Sequence, residues 1–277
     1  MINSSIYILG LPQSILRIII LLNLGKRHFG MSMQNLEKDN YYIENNEKII
    51  KRLDIWVEKY LHHFLELSNQ ISEKEEILSR IHEEFESLLP EIPFIGKNYF
   101  TDIVINSAFI LAIYRSLDSS KFSDEQFGKK LFQIEEEILE NYNPIRKYIL
   151  KTMFLGRLGR IYLGRMAKKS KSSVFEDDTI FDLIGGDGRN LISGFDFHKC
   201  TVNEFYKKQG MSNLMPYFCL TDYAIADSFG VRLERTKSLS TGHNCCNHRY
   251  YKSNQLTKGW NIDRFDEYKD WISLKTK

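Results

Sequence analysis

The side chains with the most chemical reach lie together late in this 277-residue chain: Cys200, Cys219, Asp222, Arg235, Thr236 and the run His243–Arg249 all fall between positions 200 and 249. Within that run Cys245 and Cys246 are flanked by His243, His248 and Arg249. A thiol with imidazole and guanidinium neighbours sits in electropositive surroundings, which lower its pKa and populate the nucleophilic thiolate. An imidazole beside it can move protons near neutral pH.

Those residues need a scaffold, and the pattern of the chain predicts one. From Asn45 to Lys171 the periodicity is helical. Ile49, Leu53, Trp56, Tyr60, Phe64 and Leu67 draw one apolar stripe. Ser72 with Glu75, and Ser123 with Gln126, read as caps opening further helices. The stretch Asp102–Leu117 reads as a buried helix, and Pro144 opens a long one through Met166. Gly156, Gly159 and Gly164 inside it would let a neighbouring element approach closely, and Arg157, Arg160 and Arg165 read as a solvated face. They follow no strand, so a phosphate-cradling loop is rejected.

Beyond a polar boundary at Lys168–Asp178 the texture changes. Thr179–Ile184 and Asn190–Phe197 read as two strands joined through glycines, Thr201–Gln209 as a helix stopped by Gly210, and Pro216–Phe229 as another helix. Val231–Leu239 and Cys246–Lys252 read as strands turning at Gly242, which would bring Arg235 and Thr236 beside Cys246–Arg249. The expected plan is α+β: an N-terminal helical lobe at 31–171 packed on a C-terminal antiparallel sheet with inserted helices at 172–277. Residues 1–30 form an extension of uncertain status, with Met31 and Met33 as alternative starts.

The segment Phe195–Tyr251 then adds a specific pattern. Cys200 precedes a helix; Leu214, Pro216, Cys219 and Asp222 form a Leu-x-Pro-x-x-Cys-x-x-Asp block; Arg235, Thr236, Leu239 and Gly242 form a strand and turn that closes on Cys246 and Arg249. This order and spacing resembles the L-2-amino-thiazoline-4-carboxylic acid hydrolase family, over about a fifth of the chain. The resemblance implies hydrolytic opening of a small cyclic thioimidate-like or amidine-like ring. It implies Cys246 as nucleophile with Cys219 second, Asp222 or His248 as proton donor to the departing heteroatom, and Arg235 or Arg249 as a clamp for a substrate carboxylate. Thr236, His243 and Asn247 complete the expected substrate-binding set. Asn247 and His248 stand where the family has Asp-Phe, which points to altered chemistry or a different substrate.

Two other classes of function compete. His243, Cys245, Cys246 and His248 are zinc-ligand types, and Cys200 or Cys219 could complete a set. No C-x-x-C pair exists and adjacent residues seldom hold one ion together, so neither metal nor cofactor is expected; Cys200 and Cys245 read as packing residues. A non-catalytic small-molecule binder on the same fold is the other alternative. Lys+Arg 38 against Asp+Glu 36 leaves a net charge of +2, too little to grip a nucleic-acid backbone. Ile6–Leu24 is apolar but interrupted at Pro12, Gln13, Ser14 and Arg17, and its clean stretch Ile18–Leu22 is far short of the ~20 residues a span needs, so stable membrane insertion is not expected. The vicinal cysteines favour reduced thiols and a cytoplasmic setting, with a small molecule as partner and a homo-oligomer as an open option.

Overall fold

A computed structural model describes residues 34–173, 175–253 and 259–275; the extension at 1–30 lies outside them. The helical half opens with α1 (Gln34–Ser68), whose stripe buries Ile49, Leu53 and Phe64. Helix α2 (Lys74–Leu88) buries Ile77, Ile81, Phe85 and Leu88. The expected Ser72 cap does not form, because Ser72 is held inside a preceding 3-10 turn at Ile71–Glu73 and α2 starts from Glu73 without a side-chain cap. Helix α3 (Tyr99–Ser116) is capped by Asn98 together with Thr101. Helix α4 (Asp124–Glu140) carries the reciprocal Ser123–Gln126 cap that the sequence predicts.

The stretch from Pro144 onward is not one helix. It divides into α5 (Pro144–Leu155) and α6 (Arg157–Ser170) at Gly156, whose backbone is extended at φ −72° and ψ 165°. A Cβ on Gly159 would stand 1.7 Å from the Met153 carbonyl oxygen, and one on Gly156 2.2 Å from that of Thr152. The glycines therefore make an elbow; their close neighbour is the preceding helix itself.

The sheet contains β1 (Ile180–Gly185), β2 (Leu191–Lys199), β3 (Val231–Glu234) and β4 (Cys246–Lys252), antiparallel throughout in the order β1-β2-β4-β3. The connection from β2 to β3 carries α7 (Thr201–Lys208), α8 (Met215–Cys219) and α9 (Thr221–Ser228), and α10 (Asp266–Lys275) ends the described chain. The single helix expected over Pro216–Phe229 is thus two, meeting at Leu220. The architecture is α+β, with N-terminal helices and an antiparallel C-terminal sheet. No helix among the described residues is long and apolar enough to cross a membrane.

Two cores meet in α4. Phe127 stacks on Phe64 in the core among the helices, which also holds Phe85 and Tyr206, while Phe132 packs with Phe265 in the core beneath the sheet, which also holds Phe181, Phe195 and Leu233. Side chains alternate across a strand, and register decides which face each meets. Phe195 lies opposite His248, Phe197 opposite Cys246, and Leu233 opposite Tyr250, which builds one inward face across β2, β4 and β3. The central pair is drawn tight at Gly194, where a Cβ would stand 2.5 Å from the His248 carbonyl oxygen.

Gly194→Ala must push β2 away from β4 directly behind His248. Overpacking of this kind costs about 2 kcal/mol, which in a chain of this size lowers Tm by roughly 4–8 °C. Thermal unfolding followed by circular dichroism checks it; an unchanged Tm would show that the strands can separate there freely.

Candidate functional site

A cavity of about 230 Å³ lies between the inward face of the sheet and helices α3, α5, α6, α8 and α9. Its wall is mostly hydrocarbon and aromatic, with Ile103, Met153, Phe154, Phe197, Phe218 and Ile225 among the lining. Cys200, Cys219, Asp222, Arg235, Cys246 and His248 open onto the same space. Strand β4 explains part of this. Residues 246, 248 and 250 share its inward side and line the cavity, and 247 and 249 share the other.

Arg235 is the hub, with its side chain 1% exposed. Its Nε donates to Glu267 Oε1 at 2.7 Å, one terminal nitrogen donates to Asp222 Oδ2 at 2.8 Å and meets His248 Nε2 at 2.9 Å, and the other donates to the Cys219 carbonyl at 2.9 Å. Tyr223 lies under the guanidinium, 5.4 Å from it, and donates its own hydroxyl to Glu267 Oε2 at 3.0 Å. All three guanidinium nitrogens are thereby engaged within the protein, so Arg235 has no free fork to offer a substrate carboxylate.

Asp222 is the carboxylate that the cavity can use, with 38% of its side chain exposed. Burial of the acid works to raise its pKa, but hydrogen bonds and charge from His248 and Arg235 prevail and hold it below the ordinary carboxylate value. His248 Nε2 lies 3.1 Å from Asp222 Oδ2, and its buried Nδ1 has no hydrogen-bond partner among the described residues. Burial drives the imidazole below its usual pKa, with Arg235 adding to that and Asp222 opposing it. At neutral pH the ring is uncharged, with one nitrogen free.

The thiols differ from the sequence expectation. Desolvation raises Cys246 above an ordinary thiol, although Arg235, the Leu239 N–H and Ser238 pull it down. The Leu239 N–H points at Cys246 Sγ from 3.1 Å, and Ser238 Oγ lies 3.7 Å away. Burial lifts Cys219 well above the usual value and Cys200 to about 12. The electropositive neighbours read from sequence are present, but withdrawal from water outweighs them. All three rest as protonated thiols.

The other expected residues lie off the cavity. Arg249, on the outward side of β4, pairs with Asp196 Oδ1 at 2.7 Å. Asn247 Oδ1 accepts from the backbone N–H groups of Thr236 and Lys237 at 3.0 and 2.7 Å, and its amide donates to Thr236 Oγ1 at 2.9 Å, clamping the chain just after Arg235. His243 Nδ1 lies 3.1 Å from Thr241 Oγ1 and braces the turn that presents the Leu239 N–H. Cys245 does not line the cavity, and among the described residues no three His, Cys, Asp or Glu side chains are grouped to hold a metal ion. One contributor went unnoticed in the sequence, Glu267, which carries no motif; Cys200, which reads there as packing, opens onto the cavity as well.

Residues 163–250 match the family model of L-2-amino-thiazoline-4-carboxylic acid hydrolase, a stretch that holds nearly all of the sheet, the three inserted helices and every polar cavity residue named above. The family's description points to hydrolase activity. No curated protein and no solved structure matches the chain.

Removing Arg235 strands two carboxylates. Arg235→Met is expected to cost about 3–5 kcal/mol, and adding Glu267→Met to recover part of it, as read by urea unfolding. Acid sensitivity follows from the two depressed groups. The unfolded chain binds protons more readily at both, so stability present at pH 7.5 falls as pH drops below about 6.5 through His248 and further through Asp222. His248→Gln should flatten the first part of that decline; a decline of the same slope would assign it elsewhere.

Proposed function

We propose that this protein hydrolyses a small cyclic amidine-type or thioimidate-type compound through a covalent intermediate on Cys246. The observation that carries the reading is convergence: Cys246, His248 and Asp222 face one cavity inside the segment that matches a hydrolase family. A neutral substrate head or a protonated amidine suits that end of the cavity, because Asp222 is its accessible charge and Arg235 is spent on internal partners. The rest of the wall suits an apolar body. An engineered cavity of about 150 Å³ accepts benzene, so 230 Å³ leaves room for one ring and a short substituent.

In this mechanism substrate displaces water, and the neutral His248 takes the proton of the Cys246 thiol as sulfur adds to the amidine carbon. The Leu239 N–H stabilises charge on that sulfur as it forms. The ring C–heteroatom bond then breaks, and the departing heteroatom accepts the proton from the His248 imidazolium, which Asp222 steadies. Water, deprotonated by the same imidazole, adds to the thioimidate carbon; the C–S bond to Cys246 breaks, and the thiolate recovers its proton. One water is consumed, and the enzyme returns unchanged.

A non-catalytic binder is the second reading, favoured by the protonated state of all three cavity thiols. Turnover of 2-amino-thiazoline probes with and without a 4-carboxylate separates the two. The enzyme reading expects ring opening, preference for the probe lacking the carboxylate, and at least a thousandfold loss in Cys246→Ser with unchanged Tm. Its rate should rise with pH as His248 loses its proton, below the ordinary imidazole range, and stay level through neutral pH while the Cys246 thiol keeps its own. Full activity in Cys246→Ser would remove this assignment, and binding without ring opening would establish the binder.

A further inference from the structure

We infer that the outer side of the α5–α6 helix pair docks peripherally on an anionic phospholipid surface. The two helices are apolar on both sides. Inward, Leu150, Met153, Phe154, Tyr162 and Leu163 roof the cavity. Outward, Ile145 is 73% exposed and Leu158 79%, with Tyr148, Ile149 and Ile161 also open. Among the described residues these are five of the seven exposed large apolar side chains, the others being Ile43 and Ile71 far away in sequence. A surface helix ordinarily keeps its second face polar, so this side is built for something other than water.

Charge identifies the occupant. Residues 144–171 contain nine Lys or Arg and not one Asp or Glu. The whole chain has 38 basic and 36 acidic residues, so without this segment it holds 29 against 36 and is net acidic. The positive charge of the protein is thus collected on the same segment as its exposed apolar groups. Arg157, Arg165 and Lys168 are exposed beside Leu158 and Ile161. Apolar side chains that enter the headgroup boundary, ringed by cations that meet anionic headgroups, are the composition of an interfacial helix. A second copy of this chain would bring like charge against like. Residues 1–33 would do the same, since they contain basic residues and no acidic ones. A nucleic-acid backbone would leave the isoleucines and Leu158 unsatisfied.

The elbow fits this role. Gly156 and Gly159 allow α5 and α6 to pack on one another without a bulky corner, and Arg160 ties α6 to the sheet through the Ile192 carbonyl at 2.8 Å. The pair is therefore a fixed platform and needs no folding on contact.

The test is sedimentation of the full chain with vesicles of phosphatidylcholine alone and with phosphatidylcholine containing about one-third phosphatidylglycerol. Binding is expected to the second and at least tenfold weaker to the first, and lost in high salt. A basic residue near such a surface is worth roughly a fivefold change in partitioning. Arg157→Glu with Arg165→Glu should therefore weaken binding by more than twentyfold, and Leu158→Ser with Ile161→Ser by about tenfold. All four positions sit on the surface, so circular dichroism and Tm should match the parent. No binding to anionic vesicles, equal binding to neutral ones, or binding undiminished in both double variants would each overturn the proposal. The readout is lipid binding, so its failure leaves the ring-opening reading standing, and the converse holds too.

Discussion

A guanidinium removed from water as completely as Arg235 must be compensated on every side, and the way this is done fixes much of the C-terminal half. Glu267 from α10, Asp222 from α9, the Cys219 carbonyl at the end of α8 and His248 from β4 all converge on it. These elements are far apart in the chain, and none could shift independently without exposing a buried charge to hydrocarbon, at a cost of several kcal/mol. The short helices α8 and α9, of five and eight residues, are too short to be stable alone. Their orientation depends on contacts of this kind. The same hub delivers Asp222 and His248 to the cavity already hydrogen-bonded and oriented.

That arrangement sets one requirement against another. An apolar wall excludes water and strengthens each electrostatic contact inside, but it also keeps thiols protonated. The resting protein resolves this in favour of neutrality at Cys246, Cys219, Cys200 and His248, leaving Asp222, drawn down by its partners, as the accessible charge. In the proposed reaction the nucleophile is made by proton transfer as it is needed, and is not stored as a thiolate. The Leu239 N–H at 3.1 Å from Cys246 is already in position for the charge that would then appear.

The sequence made the fold class readable because periodicity is local. The stripe of α1, the cap of α4 and the glycine turns survive in the structure almost where the pattern puts them. Helix breaks were harder to read: Gly156 and Leu220 interrupt long apolar runs for reasons that depend on what packs against them. At the site, the gathering of Cys246, Asp222, His248 and Arg235 follows from motif order plus the expected pairing of β3 with β4. Arg249 and Asn247 could have been separated from them by the alternation of β4 alone, since 246 and 248 occupy the opposite face. Glu267 could not be found that way, because its partner is 32 residues away and nothing in its local sequence marks a buried acid.

Strand parity also explains how one short stretch serves two ends. The odd residues of β4 that face outward do mechanical work: Asn247 grips the backbone at 236–237 and Arg249 holds Asp196 on β2. Both contacts keep β4 in register with its neighbours. A slip of one residue would exchange the two faces, sending Cys246 and His248 to solvent and bringing an arginine into the hydrocarbon wall. Positions 247 and 248 fall on the two sides of this division. Asn247 is a polar clamp on the outward face, whereas His248 places a titratable ring on the inward one, beside the Asp222 carboxylate. Substitution at the second position changes what the cavity can do; substitution at the first changes how firmly it is held.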